Sequence, residues 1–441
     1  MNPVAFLWKR SRLERDMRRT RAQLEARQLR AIAQVRAFAL DRSPFYQRFY
    51  RGFEQRPWTE LPILSKAELM DHFDDLVTDR AVRLTDVEAH LHRGDPNALF
   101  RGRYVVLATS GSTGQRGIFL FNPAEWLDVI VAFTRPGLWA GVQPKLFRPQ
   151  RMATLASTAP WHYSARTGQA TSSPLFPALR LDAAEAVDSM VRQLNQWQPE
   201  FLAGYPSVLK SLAEEQIASR LRISPRLVFS VAEVLAAETR RRMREAWPVP
   251  VFDIYGSTEY CPIAVECPLG RKHLLEDGAA IEIVDDRGRP VADGTLGDRV
   301  LLTVFNRWTQ PLIRYEISDM VRPVALQCEC GRPFRVIDRI EGRQQDVLHF
   351  GSTAVHPNVF HRVLETVPAA GWQVIQERDE LRVCLLGLRE GYPVESLQDS
   401  IHRLLRESGA EPPPIRVEKV ESLRRGATGK AGLIVASAAS S

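Results

Sequence analysis

Between residues 104 and 255, short apolar runs alternate with amphipathic stretches, and this alternation limits the folds open to the chain more than any other feature. Strand-like runs fall at Tyr104-Val105-Val106-Leu107, Ile118-Phe119-Leu120-Phe121, 153–156, 201–204, 227–231 and 249–254. Helical stretches are expected at 123–133, 183–198, 208–218 and 236–246. Strands of four to six residues separated by helices predict a mainly parallel α/β sheet, and such sheets bind ligands at the carboxyl ends of their strands. Two hydroxyl-rich turns are expected at such ends. One is Ala108-Thr109-Ser110-Gly111-Ser112-Thr113-Gly114-Gln115-Arg116-Gly117, and the other is Tyr255-Gly256-Ser257-Thr258-Glu259. The first suits a loop whose backbone N–H groups face an anion. It is not a Walker A loop, because Arg116 stands where the second glycine belongs.

Outside this core the pattern changes. Residues 5–42 read as one long helix with an apolar stripe of Leu13, Met17, Leu24, Leu29, Ile32, Val35 and Leu40, stopped by Ser43-Pro44. Ser65 and Glu68 form a capping-box signature for the helix that follows them. From about 280, strands are expected at 280–284, 300–305 and 320–323, with turns at Asp285-Asp286-Arg287-Gly288 and Asp293-Gly294. The tail from Gly342 returns to mixed α/β, with strands near 372–376 and 381–386 and a helix at 396–407.

At 441 residues the chain needs more than one core. No apolar run reaches the roughly 20 residues of a spanning helix, and the short apolar start before Arg-rich sequence does not read as a signal peptide. The net charge of +7 is concentrated at one end: residues 1–51 hold 13 Lys/Arg against four acids, whereas the remaining 46 basic and 48 acidic residues leave −2. A nucleic-acid enzyme would line its site with positive charge, so no nucleic-acid partner is expected. A basic arm on a neutral body suits either a solvated helix face or a landing surface for an acidic partner. Five cysteines without a disulfide-like framework suggest a reducing compartment, with the cytoplasm as the expected location. Cys267-x5-His273 and Cys328-x-Cys330 supply three thiolates and one imidazole, a closed set suited to structural Zn²⁺ stapling a strand-rich part at 260–335. Cys261 is a rival ligand, and Cys384, in an apolar strand, is expected in the core. The aromatic run Trp161-His162-Tyr163, with Tyr205 and Tyr255, suggests a flat apolar pocket.

Taken in order, Ser110-Gly111-Ser112-Thr113-Gly114, Tyr255-Gly256-Ser257-Thr258-Glu259, Arg314-Tyr315-Glu316-Ile317-Ser318-Asp319 and Thr428-Gly429-Lys430 resemble the adenylate-forming superfamily, in its phenylacetate–CoA ligase-like branch. Gly204-Tyr205-Pro206-Ser207 and the Cys…His…Cys-x-Cys-Gly pattern resemble the same branch. The resemblance implies an α/β fold. Residues 1–341 would form a large amino-terminal adenylation domain with mixed sheets, and residues 342–441 a small, mobile α+β carboxyl-terminal lid. It also implies two half-reactions, in which a carboxylate displaces pyrophosphate from ATP and a thiol then takes the acyl group. Ser110, Gly111, Ser112, Thr113, Gly114 and Arg116 would hold the β,γ-phosphates, Thr258 the α-phosphate, and Glu259 a Mg²⁺ ion. Ala232, Glu233, Asp253, Tyr255, Gly256 and Ser257 would flank the nucleotide. Asp319 would accept from the ribose hydroxyls, Arg343 would help fix the nucleotide, and Lys430 would bridge carboxylate and α-phosphate. The expected acid is aromatic and hydroxybenzoate-like. The expected acceptor is an acyl carrier protein, met by the basic arm, or coenzyme A. Four departures from the family pattern stand out: Gln115-Arg116 in place of a lysine, Ala232 in place of a glycine, Ile317-Ser318 in place of Thr-Gly, and Gln345 in place of a hinge acid. They motivate the alternative of a non-catalytic scaffold that binds an acidic partner through its first helix.

Overall fold

The computed structural model describes residues 2–93, 95, 98–109, 116–143, 148–343, 346–351, 353–355, 358–364, 367–369, 371–377, 379–424 and 433–435. Its residues form two compact units. The first gathers Met1–Pro144, Thr158–Ser172 and Phe252–Arg339; the second gathers Lys145–Ser157, Ser173–Val251 and Ile340–Ser441.

In the first unit, the expected long helix is two helices, α1 (Pro3–Asp16) and α2 (Arg21–Arg42). The break comes from Thr20. Its hydroxyl accepts from the Gln23 amide, and the Gln23 side chain accepts from the Thr20 amide in return, so a new helix starts there. Leu24, Ile32, Val35 and Ala39 are the buried face of α2. The Ser65–Glu68 capping box is present as expected and starts the helix Lys66–Asp71.

The first two expected strands, β1 (Val105–Ala108) and β2 (Ile118–Phe121), pair with each other antiparallel as a separate two-stranded ribbon. The hydroxyl-rich loop is therefore the connection of a hairpin rather than a turn at the end of a parallel strand. Asn122 caps the helix Pro123–Phe133 with a second capping box. The strands Ala279–Val284, Arg299–Val304 and Tyr315–Ile317 form a three-stranded antiparallel sheet. Ala264–Glu266 pairs antiparallel with both Ile254-Tyr255 and Lys272–Leu274.

The second unit carries the parallel sheet predicted from alternation. Its strands run in the order Ala178–Asp182, Met152–Ala156, Phe201–Gly204, Leu227–Val231. Helices Val187–Trp197, Pro206–Ile217 and Ala237–Ala246 cover it through a core that includes Leu155, Leu194, Leu202, Leu209, Leu212, Met243 and Trp247. Each fully buried leucine there contributes about 2 kcal/mol. The strand Ala178–Asp182 is one that sequence reading did not find, and the helix expected at 183–198 begins only at Val187. The carboxyl-terminal part forms a four-stranded sheet in the order Ile415–Val420, Leu381–Leu386, Gly371–Gln376, Ile434–Val435. The helix Val394–Glu407 packs there, with Leu397, Ile401, Leu404 and Leu405 buried. Cys384 is buried as expected, and its thiol lies 3.4 Å from Glu418 Oε1. Among the described residues, no helix is long and apolar enough to cross a membrane.

Candidate functional site

The hydroxyl-rich loop is closed at its base. Thr109 N–H donates to the Gly117 carbonyl at 2.9 Å, and Gly117 N–H donates back to Thr109 Oγ1 at 2.8 Å. Ser110, Gly111, Ser112, Thr113, Gly114 and Gln115 lie outside the described residues. So do Gln345 and Lys430. Arg116 leaves the loop with its guanidinium 5.1 Å from the Trp161 ring centroid, and the Trp161 carbonyl accepts from Ala108 N–H at 3.0 Å. The loop's stem and the aromatic run 161–163 are therefore neighbours. His162 caps the helix Tyr163–Thr171 through the Ser164 amide, and Tyr163 donates its phenol to the Cys261 carbonyl at 2.9 Å.

Two sequence motifs far apart in the chain meet in the first unit. Tyr255 Oη donates to Asp319 Oδ2 at 2.8 Å, and Tyr315 Oη donates to Glu259 Oε1 at 3.1 Å. Each motif thus supplies a tyrosine to the carboxylate of the other. All four side chains are buried, and burial together with the Glu259 carboxylate pushes the Tyr315 phenol far above its ordinary pKa. Thr258 is half-buried next to Glu259. Gly256 is required by space, because a methyl group there would collide with Cys261 Sγ. Asp253 is buried, paired with Lys272 at 2.6 Å, and its amide donates to Glu266.

One buried cation beside these acids was not singled out from the sequence. Arg307 is 3% exposed, and its guanidinium lies 3.8 Å from the Phe121 ring centroid. Burial lowers its pKa to about 10, against the opposing pull of Glu125 and Glu259. No sequence signal marks it: it sits in a polar loop with neither periodicity nor motif spacing.

In the second unit, Ala232 is exposed with φ +66°, a left-handed conformation that favours glycine. Glu233 accepts from the Ser207 amide at 3.1 Å and from its hydroxyl at 3.2 Å, which ties it to the first turn of the helix Pro206–Ile217. Tyr205 belongs to the core of this unit; its hydroxyl accepts from the Ser157 amide at 3.0 Å. Arg343 ends the strand Val336–Arg343 and is exposed.

The four expected metal-ligating residues come together. One donor atom from each of Cys267, His273, Cys328 and Cys330 lies within 4.8 Å of the others. The Cys267 and Cys328 sulfurs are 3.8 Å apart, and Cys330 Sγ is 3.3 Å from His273 Nε2. Two sulfurs held about 2.3 Å from a common tetrahedral zinc stand roughly 3.8 Å apart, so the set fits that ion. His273 directs Nδ1 to the Phe334 carbonyl at 3.1 Å, which leaves Nε2 for the cluster. Burial lowers the His273 pKa and keeps the imidazole in the neutral form a metal needs. Cys261, the rival ligand, is not part of this group.

The sequence profile of the family described as AMP-binding enzyme matches residues 103–301. A phenylacetate–coenzyme A ligase of Thermus thermophilus is 26% identical over 383 residues, covering 81% of this chain and 79% of that protein. Protein CapK of Staphylococcus aureus is 23% identical, over 68% of this chain and 62% of its own length. Among solved structures, a 2-hydroxyisobutyryl-CoA ligase in its postadenylation state superposes with a TM-score of 0.77 at 19% identity, covering 96% of this chain and 92% of that one. An anthranilate CoA ligase bound to anthranoyl-AMP gives 0.52 at 19% identity, over 74% of this chain and 65% of its own.

Proposed function

We propose that the chain is a member of the adenylate-forming superfamily and an ATP-dependent, AMP-forming ligase that joins a carboxylic acid to a thiol. The observation that carries this reading is the reciprocal pairing of Tyr255 with Asp319 and Tyr315 with Glu259. That pairing supports the reading because it ties Asp319, which would take the ribose, and Glu259, which would take the cation, to each other's segments. In the first half-reaction a carboxylate oxygen attacks the α-phosphorus of ATP and the bond to the β,γ-phosphates breaks, giving acyl-AMP and pyrophosphate. In the second, a thiol attacks the acyl carbon and AMP leaves.

Phosphoryl transfer needs donors and positive charge around spreading negative charge rather than a protein nucleophile. Ser110, Ser112, Thr113 and the loop amides would take the β,γ-phosphates, Thr258 would donate to the α-phosphate, and Glu259 would hold Mg²⁺. Asp319 would accept from the ribose, and Lys430, on a lid formed by residues 342–441, would bring carboxylate and α-phosphate together. Bound Mg²⁺ would neutralise phosphate charge. Cys267, His273, Cys328 and Cys330 would hold a structural zinc.

Trp161 and Tyr163 beside the loop stem support an aromatic acid. For the acceptor, coenzyme A is favoured over a carrier protein. Much of the basic arm is engaged with its own unit: Lys9 pairs with Asp128, Arg21 with Glu276, and Arg27 and Arg36 donate to backbone carbonyls. The same engagement weakens the alternative of a scaffold that captures an acidic partner through that arm.

The test is pyrophosphate release from ATP over a panel of aromatic and aliphatic acids, followed by thioester formation with coenzyme A or a carrier protein. An aromatic acid should support release that Lys430→Ala abolishes. Acid-independent or absent release over the whole panel rejects the ligase.

A further inference from the structure

The loop that carries Arg307 is fastened on both sides. Glu125 accepts from the Trp308 and Thr309 amides, each at 2.7 Å, and from the Asn122 amide at 2.7 Å. Gln310 accepts from Leu120 N–H at 3.0 Å and donates to the Ile118 carbonyl at 3.1 Å. These bonds fix the loop against β2 and the helix Pro123–Phe133. Arg307 is held in the middle of this frame yet is hardly used by it. Its Nη2 reaches Gln310 Oε1 only at 3.5 Å, and its Nε and Nη1 find no hydrogen-bond partner among the described residues.

A buried guanidinium with two idle nitrogens is costly, since burying a cation is tolerated mainly when its donors are satisfied. The carboxylates of Glu125 and Glu259 act on Arg307 through space, as does Tyr163, but none supplies it a hydrogen bond. The groups around it come from the strand after the hydroxyl-rich loop (Phe121), the aromatic run (Tyr163) and the second motif (Glu259). A ligand lying across those three elements would pass the unfilled donors.

We propose that Arg307 is a recognition residue for an oxyanion of the reactants, either the carboxylate of the incoming acid or a phosphate of the nucleotide. This rests on the ligase reading for the identity of the reactants, but not for the anion site itself. Stacking on Phe121 holds the guanidinium plane, so Nε and Nη1 are pre-set for charge-assisted bonds and little is lost in ordering them.

The test uses the full chain, as wild type, Arg307→Met and Arg307→Lys. Melting temperatures are measured without ligand and with pyrophosphate, Mg-ATP, benzoate or 4-hydroxybenzoate, and KM is measured separately for acid and ATP. Without ligand, Arg307→Met should melt at or above the wild-type temperature, because an unsatisfied buried charge is removed. It should lose the shift produced by one class of probe, with partial rescue in Arg307→Lys. Loss confined to the benzoates, with KM for the acid raised about tenfold or more, assigns the carboxylate. Loss confined to pyrophosphate and ATP, with their KM raised alike, assigns a phosphate. The proposal is overturned if unliganded Arg307→Met melts several degrees lower, if it keeps every wild-type shift, or if no probe shifts the wild type. A wild type that binds pyrophosphate through Arg307 yet turns over no acid leaves this site standing and rejects the ligase.

Discussion

Ala232 holds φ at +66°, where its Cβ crowds the following carbonyl at a cost of about 1–2 kcal/mol. Glycine would avoid that crowding and forfeit some chain entropy in exchange. Ala232→Gly is therefore expected to raise stability by roughly 0.5–1 kcal/mol in denaturant titration; a lower midpoint would show that the alanine is not strained. Tyr315→Phe removes the phenol that donates to buried Glu259. A bond to a charged acceptor contributes about 1.5–3 kcal/mol, so the variant should be less stable by an amount in that range. It should also bind Mg-ATP more weakly, as read by its KM for ATP. Arg307, by contrast, belongs to the residues whose role only folding exposes. Its neighbours Phe121 and Glu125, Tyr163, and Glu259 come from three separate stretches of chain, and no local pattern announces a cation buried among them.

At the level of elements, capping chemistry decides where helices begin. Thr20→Ala deletes one half of the box that starts α2 and should cost about 1 kcal/mol, seen as a lower unfolding midpoint. The same grammar was readable at Ser65 and Glu68, because a Pro-punctuated stretch precedes them. At Thr20 the apolar positions Leu13, Met17 and Leu24 run on through the break, and the periodic stripe concealed the cap. Most strands of the parallel sheet were legible from their continuous burial. Ala178–Asp182 was not, because it lies at the edge of that sheet with only Leu181 buried, so neither alternation nor an apolar run marks it. The Cys/His cluster was legible because ligand identity and spacing carry it. The hairpin partnership of β1 with β2 was not, since strand-like runs look alike whether their partner is parallel or antiparallel.

At the scale of the first unit, five phenols share one fate. Burial is the main cause that raises Tyr46, Tyr50, Tyr163, Tyr260 and Tyr315 above the ordinary value of 10.0. They stay protonated when folded, whereas an unfolded chain would ionise them near pH 10. Their stabilisation is thus intact below pH 10 and is lost as pH rises beyond it, at about 1.4 kcal/mol per pH unit for each phenol. Guanidinium titrations between pH 8 and 11 should show a flat midpoint that falls steeply above 10; a midpoint independent of pH would contradict the burial of these rings. Zinc analysis should find close to one ion per chain. Its removal by a chelator, or Cys267→Ser, should lower the melting temperature by roughly several degrees, because the cluster links the strand that holds His273 to the loop that carries Cys328 and Cys330.

The crossed tyrosine–carboxylate pairs also bear on how such a chain can change. Since each tyrosine serves the acid of the other segment, neither segment can drift or be transplanted by itself without stranding a hydroxyl and a carboxylate together. A chimera that imports residues 255–259 from a relative should recover its activity only when residues 315–319 travel with them.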